Sequence, residues 1–283
     1  MQIRYIHDKK TCNINEKEGV TYITFPKLAA FEGDMIHGFS TRLGGVSKAH
    51  LGSMNLSFTR GDEREAVVEN HKRFAKALGY DETKLVFSNQ VHLTNFHKVT
   101  SEDCGKGITR ESDILEIDGL VTDEPGVPMI TFYADCVPLF FYDPVKKVIA
   151  MAHSGWKGTV ERIGAKMIAY MEEEYGSNPR DIIVAIAPSI CQPCYEVSED
   201  VALRFFEVFG EGYGDELLYR KENGKYQLNL HKACEITLLE AGILPEHIDI
   251  TDICTCCNPD FLFSHRSSNG MRGNLAGVMM LKG

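Results

Sequence analysis

The sequence lacks the features of membrane, secreted and nucleic-acid-binding proteins. No apolar stretch approaches the roughly 20 residues of a membrane-spanning helix, and the start MQIRYIHDKK has no apolar signal-peptide core. Positive charge is scarce, because 30 Lys and Arg residues face 40 Asp and Glu residues and form no basic block. We therefore expect a cytoplasmic protein that binds neither nucleic acid nor a membrane.

Linkers, repeats and low-complexity tracts are also missing. At 283 residues with 43% hydrophobic side chains, the chain can bury one sizeable core. Without a Pro/Ser-rich linker or an internal repeat, nothing marks a boundary between domains. The sequence therefore predicts a single domain over residues 1–283, present as a monomer or a homodimer.

Nine cysteines without an export signal favour reduced thiols over a disulfide framework. Cys191 and Cys194 in ICQPCYE have CxxC spacing, whereas Cys254, Cys256 and Cys257 in DICTCCNP do not suggest a standard ligand spacing. We interpret these five as packing thiols. A second metal site and a redox pair are the alternatives.

Hydrophobic periodicity predicts four helices, over residues 62–78, 159–175, 198–209 and 230–241. Asp62 and Glu65 form a candidate capping box for the first helix. Continuous β-branched and aromatic runs predict buried strands at residues 85–88, 119–122, 127–133, 137–142, 148–152, 182–187 and 277–281. Strands interleaved with helices predict an α/β or α+β fold with helices outside and sheet inside.

Three segments each carry a good metal ligand at the predicted end of a strand. These are His92 in SNQVH, Cys136 in YADCVP and His153 in MAHSGW. Ligands this far apart in sequence are typical of catalytic centres rather than zinc fingers, and two imidazoles with one thiolate suit Zn²⁺ or copper. Alternatively, Cys136 is a nucleophile whose proton goes to His153 or His92.

Three loops offer groups for an anionic substrate. Arg42 lies in HGFSTRLGGVS and presents a planar guanidinium. Ser154 opens the turn after His153, where a helix starts and its backbone N–H groups would point at an anionic group beside His153. The segment FSHRSSNGMRGN supplies Ser264, His265, Arg266 and Arg272.

As a set, these segments resemble the laccase-domain family, also called the multicopper polyphenol oxidoreductase or YfiH/YlmD-like family. The segments that carry the resemblance, in order, are HGFSTRLGGVS, NQVH, DGLVT, ADCVPLFFYDP, AHSGWKGT, IAPSICQPCYEV and FLFSHR. The resemblance covers residue 36 to the C-terminus. It implies a single domain with central mixed sheets between helices, in α-β-β-α layers, and a peripheral N-terminal segment over residues 1–35.

The resemblance also implies a zinc enzyme that acts on purine nucleosides and phosphate. The implied reactions are phosphorolysis of adenosine, inosine and S-methyl-5'-thioadenosine, and hydrolytic deamination of adenosine. His92, Cys136 and His153 match the family's metal-binding and catalytic triad, and Arg42 matches an arginine near it. The C-terminal loop departs from the pattern, with His265 in place of a tyrosine.

Two other enzymatic functions remain open at the level of sequence. One is Cys136-dependent amide hydrolysis on cell-wall precursor peptides, as some relatives are thought to perform. The other is a copper-dependent polyphenol oxidase, which the scattered histidines, without paired HxH segments, support poorly. For the leading function we expect Arg42, Ser154 and Arg266 to contact substrate.

Overall fold

A computed structural model describes residues 2–7 and 9–283, which contain six α-helices and fifteen β-strands. The helices are α1 Pro26–Ala29, α2 Arg64–Leu78, α3 Trp156–Val160, α4 Ile163–Tyr175, α5 Glu199–Phe209 and α6 Leu230–Glu240. The strands are β1 Asn13–Lys17, β2 Val20–Thr24, β3 Met35–Ser40, β4 Val86–Phe87, β5 Phe96–Lys98, β6 Gly119–Thr122, β7 Met129–Tyr133, β8 Val137–Asp143, β9 Val148–Ser154, β10 Ile183–Ile186, β11 Glu196–Val197, β12 Leu218–Arg220, β13 Tyr226–Leu228, β14 Ile248–Ile250 and β15 Leu275–Leu281.

The strands form two large mixed sheets and a small one. The first sheet has the order β1-β2-β3-β15-β7-β4, the second β14-β10-β8-β9-β6-β5, and the small sheet β11-β13-β12. Most neighbours are antiparallel, while β4 with β7, β5 with β6 and β10 with β14 are parallel. At the centre of the second sheet, β8 and β9 form a hairpin, and every residue of these two strands is buried.

The two large sheets pack face to face between helices. Phe39 and Tyr133 of the first sheet share one core with Phe140 and Met151 of the second. Helix α2 covers the outer face of the first sheet with Phe74, and helices α3 to α6 cover the outer face of the second. Alternating side chains of each strand thus serve two cores, which confirms the predicted α-β-β-α layers.

The predicted capping box is wrong. Helix α2 begins at Arg64 with Glu63 as the N-cap. The carboxylate of Asp62 instead accepts hydrogen bonds from Ser47 Oγ at 2.6 Å and Asn55 Nδ2 at 2.9 Å. Asp62 therefore links Ser47 and Asn55 of the preceding loop, and it lies one position before the N-cap of α2.

The predicted helix over residues 159–175 is interrupted. Its first part, α3, begins earlier, at Trp156, and ends at Val160. Arg162 then adopts a left-handed backbone conformation with φ of 58°, and α4 starts at Ile163. The two short helices pack on the same core as the outer face of β9.

Residues 1–35, predicted to be peripheral, supply the edge of the first sheet through β1 and β2. Helix α1 follows, and its residue Leu28 and its N-cap Phe25 are fully buried. The segment therefore lies at an edge but contributes to the central core. Within the described part of the chain, every helix is too short or too polar to cross a lipid bilayer.

Candidate metal-dependent active site

The structure brings His92, Cys136 and His153 together. Cys136 lies in the turn between β7 and β8, His153 is paired with Pro138 across the hairpin, and His92 lies in the loop between β4 and β5. Donor atoms of the three side chains lie within 4.8 Å of one another, and Cys136 Sγ is 3.8 Å from His92 Nε2. This donor set could hold a metal ion such as zinc or copper.

Asp118, at the start of β6, organises this centre, and our sequence analysis did not single it out. Its Oδ1 atom accepts a hydrogen bond from Nδ1–H of His153 at 2.7 Å. Its two oxygens also accept from the backbone N–H groups of Val91, His92 and Leu93 at 2.9 to 3.0 Å. One fully buried carboxylate therefore positions both histidines.

The hydrogen bond to Asp118 sets the tautomer that suits a ligand. With Nδ1 of His153 protonated and bound to the carboxylate, Nε2 keeps its lone pair for a metal ion. The signal in the sequence was a charged residue directly before the buried run GLVT. A buried carboxylate is costly unless hydrogen bonds and charge satisfy it, as they do here.

Two non-glycine residues at the centre have left-handed backbone conformations. His92 has φ of 64°, and Asp135, which precedes Cys136, has φ of 84°. Such conformations are uncommon outside glycine and cluster at functional sites. Asp135 is held by Thr255 Oγ1, which donates to Oδ1 at 2.6 Å, and by Arg266 N–H, which donates to Oδ2 at 2.7 Å.

Cys136 and His153 stabilise each other's charged forms. Burial opposes ionisation of Cys136, but His153 and His92 outweigh it and lower the pKa of the thiol to about 6. Burial likewise disfavours the imidazolium of His153, yet the Cys136 thiolate and the Asp118 carboxylate raise its pKa to about 9. Without a metal ion, the centre therefore holds a thiolate at neutral pH, the form needed both for metal binding and for nucleophilic attack.

Gly155 provides the space in which His92 and Cys136 meet. A Cβ atom at this position would lie 2.6 Å from His92 Cδ2 and 3.2 Å from Cys136 Sγ. Its φ of −74° and ψ of 173° are open to any residue, so the close approach, and not the backbone conformation, requires glycine here.

The centre lies in the wall of a cavity of about 640 Å³, a size suited to a small organic ligand. Aromatic side chains supply flat apolar surface along this cavity. Its lining includes Phe58, Phe87, Phe132, Tyr133 and Tyr195, and the polar side chains of Arg60, Gln90, His265, Arg266, Arg272 and Asn274.

Arg60 and Arg272 give one part of the cavity a positive charge. Arg272 is only 9% exposed, and its Nε atom has no hydrogen-bond partner within the described residues. Burial and the neighbouring Arg60 lower the pKa of Arg272 to about 10. A buried guanidinium with a free N–H group beside a second arginine is a suitable binding site for an anion.

The three residues expected to contact substrate have other partners. Among the described residues that line the cavity, Arg42 and Ser154 are absent. Arg42 donates from Nε to Gly52 O at 2.9 Å and stacks on Phe263, so it fixes its own loop. Ser154 Oγ is buried 2.8 Å from Thr159 Oγ1.

Arg266 does line the cavity, but its guanidinium points to backbone oxygens. It donates to Cys194 O at 3.1 Å and Glu196 O at 2.9 Å, and lies over the Tyr195 ring. Arg42, Ser154 and the Arg266 guanidinium thus contact other protein groups in this structure, and their contact with substrate stays a prediction. Arg272 donates from Nη1 to Gly273 O and Asn274 Oδ1, but its Nε–H has no partner among the described residues and stays available to a ligand, as does the neighbouring Arg60. The sequence analysis had passed over Arg60.

Replacing Asp118 by asparagine should weaken metal binding at the centre by about 10- to 100-fold, the usual cost of losing an outer partner of a metal ligand. The variant removes the negative charge that orients His153. It also replaces one of the two carboxylate oxygens that accept hydrogen bonds from the backbone N–H groups of residues 91–93. Chelator competition measures the affinity. Asp143→Asn is the matched control, because Asp143 is also fully buried and accepts two backbone N–H groups, but at the far end of β8. Equal weakening in both variants would contradict the role of Asp118.

The fold and the site together define a mixed α/β domain with a two-histidine, one-cysteine centre in the wall of a cavity. Residues 36–282 match the family model described as multi-copper polyphenol oxidoreductase laccase. The chain belongs to this family, as its motifs predicted.

Named relatives and solved structures agree with the family assignment. The chain is 37% identical over 252 residues to a protein named purine nucleoside phosphorylase YlmD from Bacillus subtilis, covering 88% of this chain and 89% of that protein. Crystal structures of Bacillus licheniformis hypothetical protein YfiH and of YlmD from Geobacillus stearothermophilus each superpose with a TM-score of 0.89 at 31% identity. Each alignment covers 97% of this chain and 100% of the other.

Proposed function

We propose that this chain is a zinc-dependent purine nucleoside phosphorylase that also deaminates adenosine. The observation that carries the proposal is one cavity lined by the His92, Cys136 and His153 centre, by aromatic side chains and by the buried Arg272, whose Nε–H has no partner among the described residues. These are the groups needed for a metal ion, a purine base and phosphate. The names of the relatives support the same substrate class.

In this proposal His92, Cys136 and His153 bind Zn²⁺, with copper as the alternative ion for the same donors. The ion supplies Lewis-acid chemistry at the cavity wall. Asp118 holds His153 in the ligating tautomer and fixes the backbone that carries His92. The chain thereby presents a rigid centre to a nucleoside bound in the cavity.

Arg60 and Arg272 bind phosphate and orient one of its oxygens toward the anomeric carbon of the nucleoside. That oxygen forms the new C–O bond as the bond from the anomeric carbon to the purine nitrogen breaks. The purine leaves with the electron pair and takes up a proton. Adenosine, inosine and S-methyl-5'-thioadenosine share the reacting atoms, so one site can serve all three.

Deamination uses the same cavity but a different carbon. Water adds to the purine carbon that bears the amino group of adenosine, and ammonia leaves, giving inosine. Proximity to the centre formed by Cys136 and the two histidines would decide whether this carbon or the anomeric carbon reacts. Both reactions therefore depend on the same three side chains.

The test is product analysis with purified protein of known zinc content. Inosine with phosphate should give hypoxanthine and ribose 1-phosphate in equal amounts, and omission of phosphate should stop the reaction. Adenosine should give adenine with phosphate, and inosine in its absence. If zinc-loaded protein releases no purine from any of the three nucleosides while a reference phosphorylase does, the proposal is wrong.

Arg272→Gln should raise the KM for phosphate by about 10- to 100-fold, because one charge-assisted hydrogen bond contributes roughly 1.5–3 kcal/mol. The KM for inosine should change little, since the nucleoside base lies on the aromatic wall. Steady-state kinetics with each substrate varied in turn makes the distinction. Arg73→Gln carries the same charge change at an exposed site on α2 and should leave both constants unchanged. Equal increases in the two KM values would contradict a phosphate role.

A second candidate function is amide hydrolysis with Cys136 as the nucleophile. The chain Asp118–His153–Cys136 favours it, because the carboxylate orients the imidazole and the thiol has a lowered pKa. The thiolate would attack an amide carbonyl, the amine would leave with a proton from His153, and water would cleave the thioester. Intact-protein mass spectrometry would detect the adduct on Cys136. Turnover that stops on chelation, with no adduct at any time, would exclude this mechanism.

A further inference from the structure

A second group of four side chains, remote in sequence from the triad, converges on one point. Cys191 and Cys194 flank the turn after β10, and Cys254 and Cys257 lie after β14. Because β10 and β14 are parallel neighbours and Ser189 bridges to Cys254, both pairs leave the second sheet at the same edge. All four Sγ atoms lie within 4.8 Å of one another.

This arrangement corrects the sequence interpretation of the second cysteine group. Because three cysteines lie within the four positions 254–257, the sequence does not show which two form a pair. In the structure Cys254 and Cys257 belong to the group of four sulfurs, and Cys256 does not. The selected pair has CxxC spacing, like Cys191 and Cys194. Two CxxC pairs that meet in space are the usual composition of a structural zinc site.

The distances match one tetrahedral ion. With metal–sulfur bonds of about 2.3 Å, a tetrahedron of sulfurs has edges of about 3.8 Å. Cys194 Sγ and Cys257 Sγ are 3.4 Å apart, and Cys191 Sγ and Cys257 Sγ are 3.9 Å apart. The space between the sulfurs therefore accepts a single ion and is too small for an iron–sulfur cluster.

Backbone N–H groups also point at the sulfurs. Cys191 N–H donates to Cys254 Sγ at 3.2 Å, and Cys257 N–H donates to the same atom at 3.4 Å. Such donors stabilise a thiolate more than a thiol, because a charged acceptor forms the stronger hydrogen bond. Packing of apolar thiols would not require four sulfurs to face one another around two backbone donors.

We propose that Cys191, Cys194, Cys254 and Cys257 bind a second Zn²⁺ ion in a closed, all-thiolate structural site. Four protein ligands leave no open position for a substrate, so this ion has no part in the reaction. Its role is to join the segment at 189–195 to the segment at 252–257.

The segment at 189–195 contributes to the wall of the cavity, and the segment at 252–257 supports it from behind through Thr255. Ile190 and Tyr195 line the cavity, and the Arg266 guanidinium donates to the carbonyl of Cys194. Thr255, next to Cys254, donates to Asp135, the neighbour of Cys136. The proposed ion would therefore hold the backbone that supports the catalytic cysteine, without touching substrate.

The test measures metal and not turnover, so its outcome is independent of the proposed reaction. In the full-length His92→Ala, His153→Ala protein, the first centre has lost two of its three donors. Elemental analysis and native mass spectrometry should then find one zinc ion per chain. X-ray absorption should show four sulfur ligands at about 2.3 Å and no nitrogen ligand.

Adding Cys191→Ser and Cys257→Ser to that protein should reduce bound zinc to near zero, whereas the matched control Cys256→Ser should keep one ion. If the serine variant does not fold, the absorption spectrum of its parent still decides the matter. Three results would each overturn the proposal. The parent protein could contain no zinc, or it could hold a Cys194–Cys257 disulfide although it was prepared under reducing conditions with zinc. The third result is a zinc coordination shell that contains nitrogen or oxygen.

Discussion

Cys136→Ala should lower the phosphorolysis of inosine more than 100-fold and reduce bound zinc by one ion per chain. The expected size is estimated from residues that hydrogen-bond a metal ligand. Losing such a residue, for example Asp118, typically lowers metal affinity or activity by about 10- to 100-fold, and losing a ligand itself should lower it more. The variant also removes the thiolate that faces His153. Hypoxanthine release and elemental analysis on the same preparation measure both effects.

Cys104→Ala is the matched control for this variant. Cys104 is half-buried like Cys136, but it is not among the described residues that line the cavity. It should retain both zinc and activity. Loss of activity in Cys136→Ala with all zinc retained would contradict the ligand role and favour the thioester mechanism instead.

Gly155→Ala should weaken metal binding and activity through a steric clash alone, because it removes no ligand and no charge. The new methyl group would overlap His92 Cδ2 at 2.6 Å and press on Cys136 Sγ at 3.2 Å, so His92 has to move. A displacement of about 1 Å at a catalytic centre can cost on the order of 100-fold in rate. We expect a loss of this order in kcat/KM, with weaker zinc retention in chelator competition.

Gly158→Ala, three residues further along, separates this effect from a general loss of stability. The nearest atom to a Cβ at Gly158 is His153 O at 3.5 Å, an ordinary contact. Alanine is also the better helix former, so in α3 it should be neutral or stabilise the fold by roughly 0.5–1 kcal/mol. Thermal unfolding should show Gly155→Ala folded. Full activity in Gly155→Ala would mean that His92 does not occupy the position described.

The central strands could be predicted from sequence because both of their faces are buried. Strands β8 and β9 lie between two cores, so each is one continuous apolar run with clear limits. The edge strand β1, NINEK, is almost fully exposed and carries no apolar pattern, so the same reasoning missed it. Its place in the sheet depends on pairing with β2 through the two-residue turn Glu18–Gly19, in which both residues have positive φ.

Site residues could be predicted from sequence when their type is that of a good metal ligand. They could not be predicted when their role depends on which elements pack together in the fold. His92, Cys136 and His153 are good metal ligands in unusual contexts, but Asp118 acquires its role only when β6 pairs with β9. The arginines show the same limit. Arg42 and Arg60 both lie on polar loops, and only the folded structure shows that backbone carbonyls and Phe263 already satisfy Arg42.

The buried β8–β9 hairpin carries Cys136 at one margin and His153 directly across from Pro138. A zinc finger acquires its fold from its ion, whereas two of the three donors here lie in or next to a hairpin whose strands are buried between two apolar cores. Which ion fills the site then also depends on the ions that the cell supplies. Copper binds such donors more tightly than zinc, so the geometry of the site and the ions available in the cell would together determine which metal the protein carries.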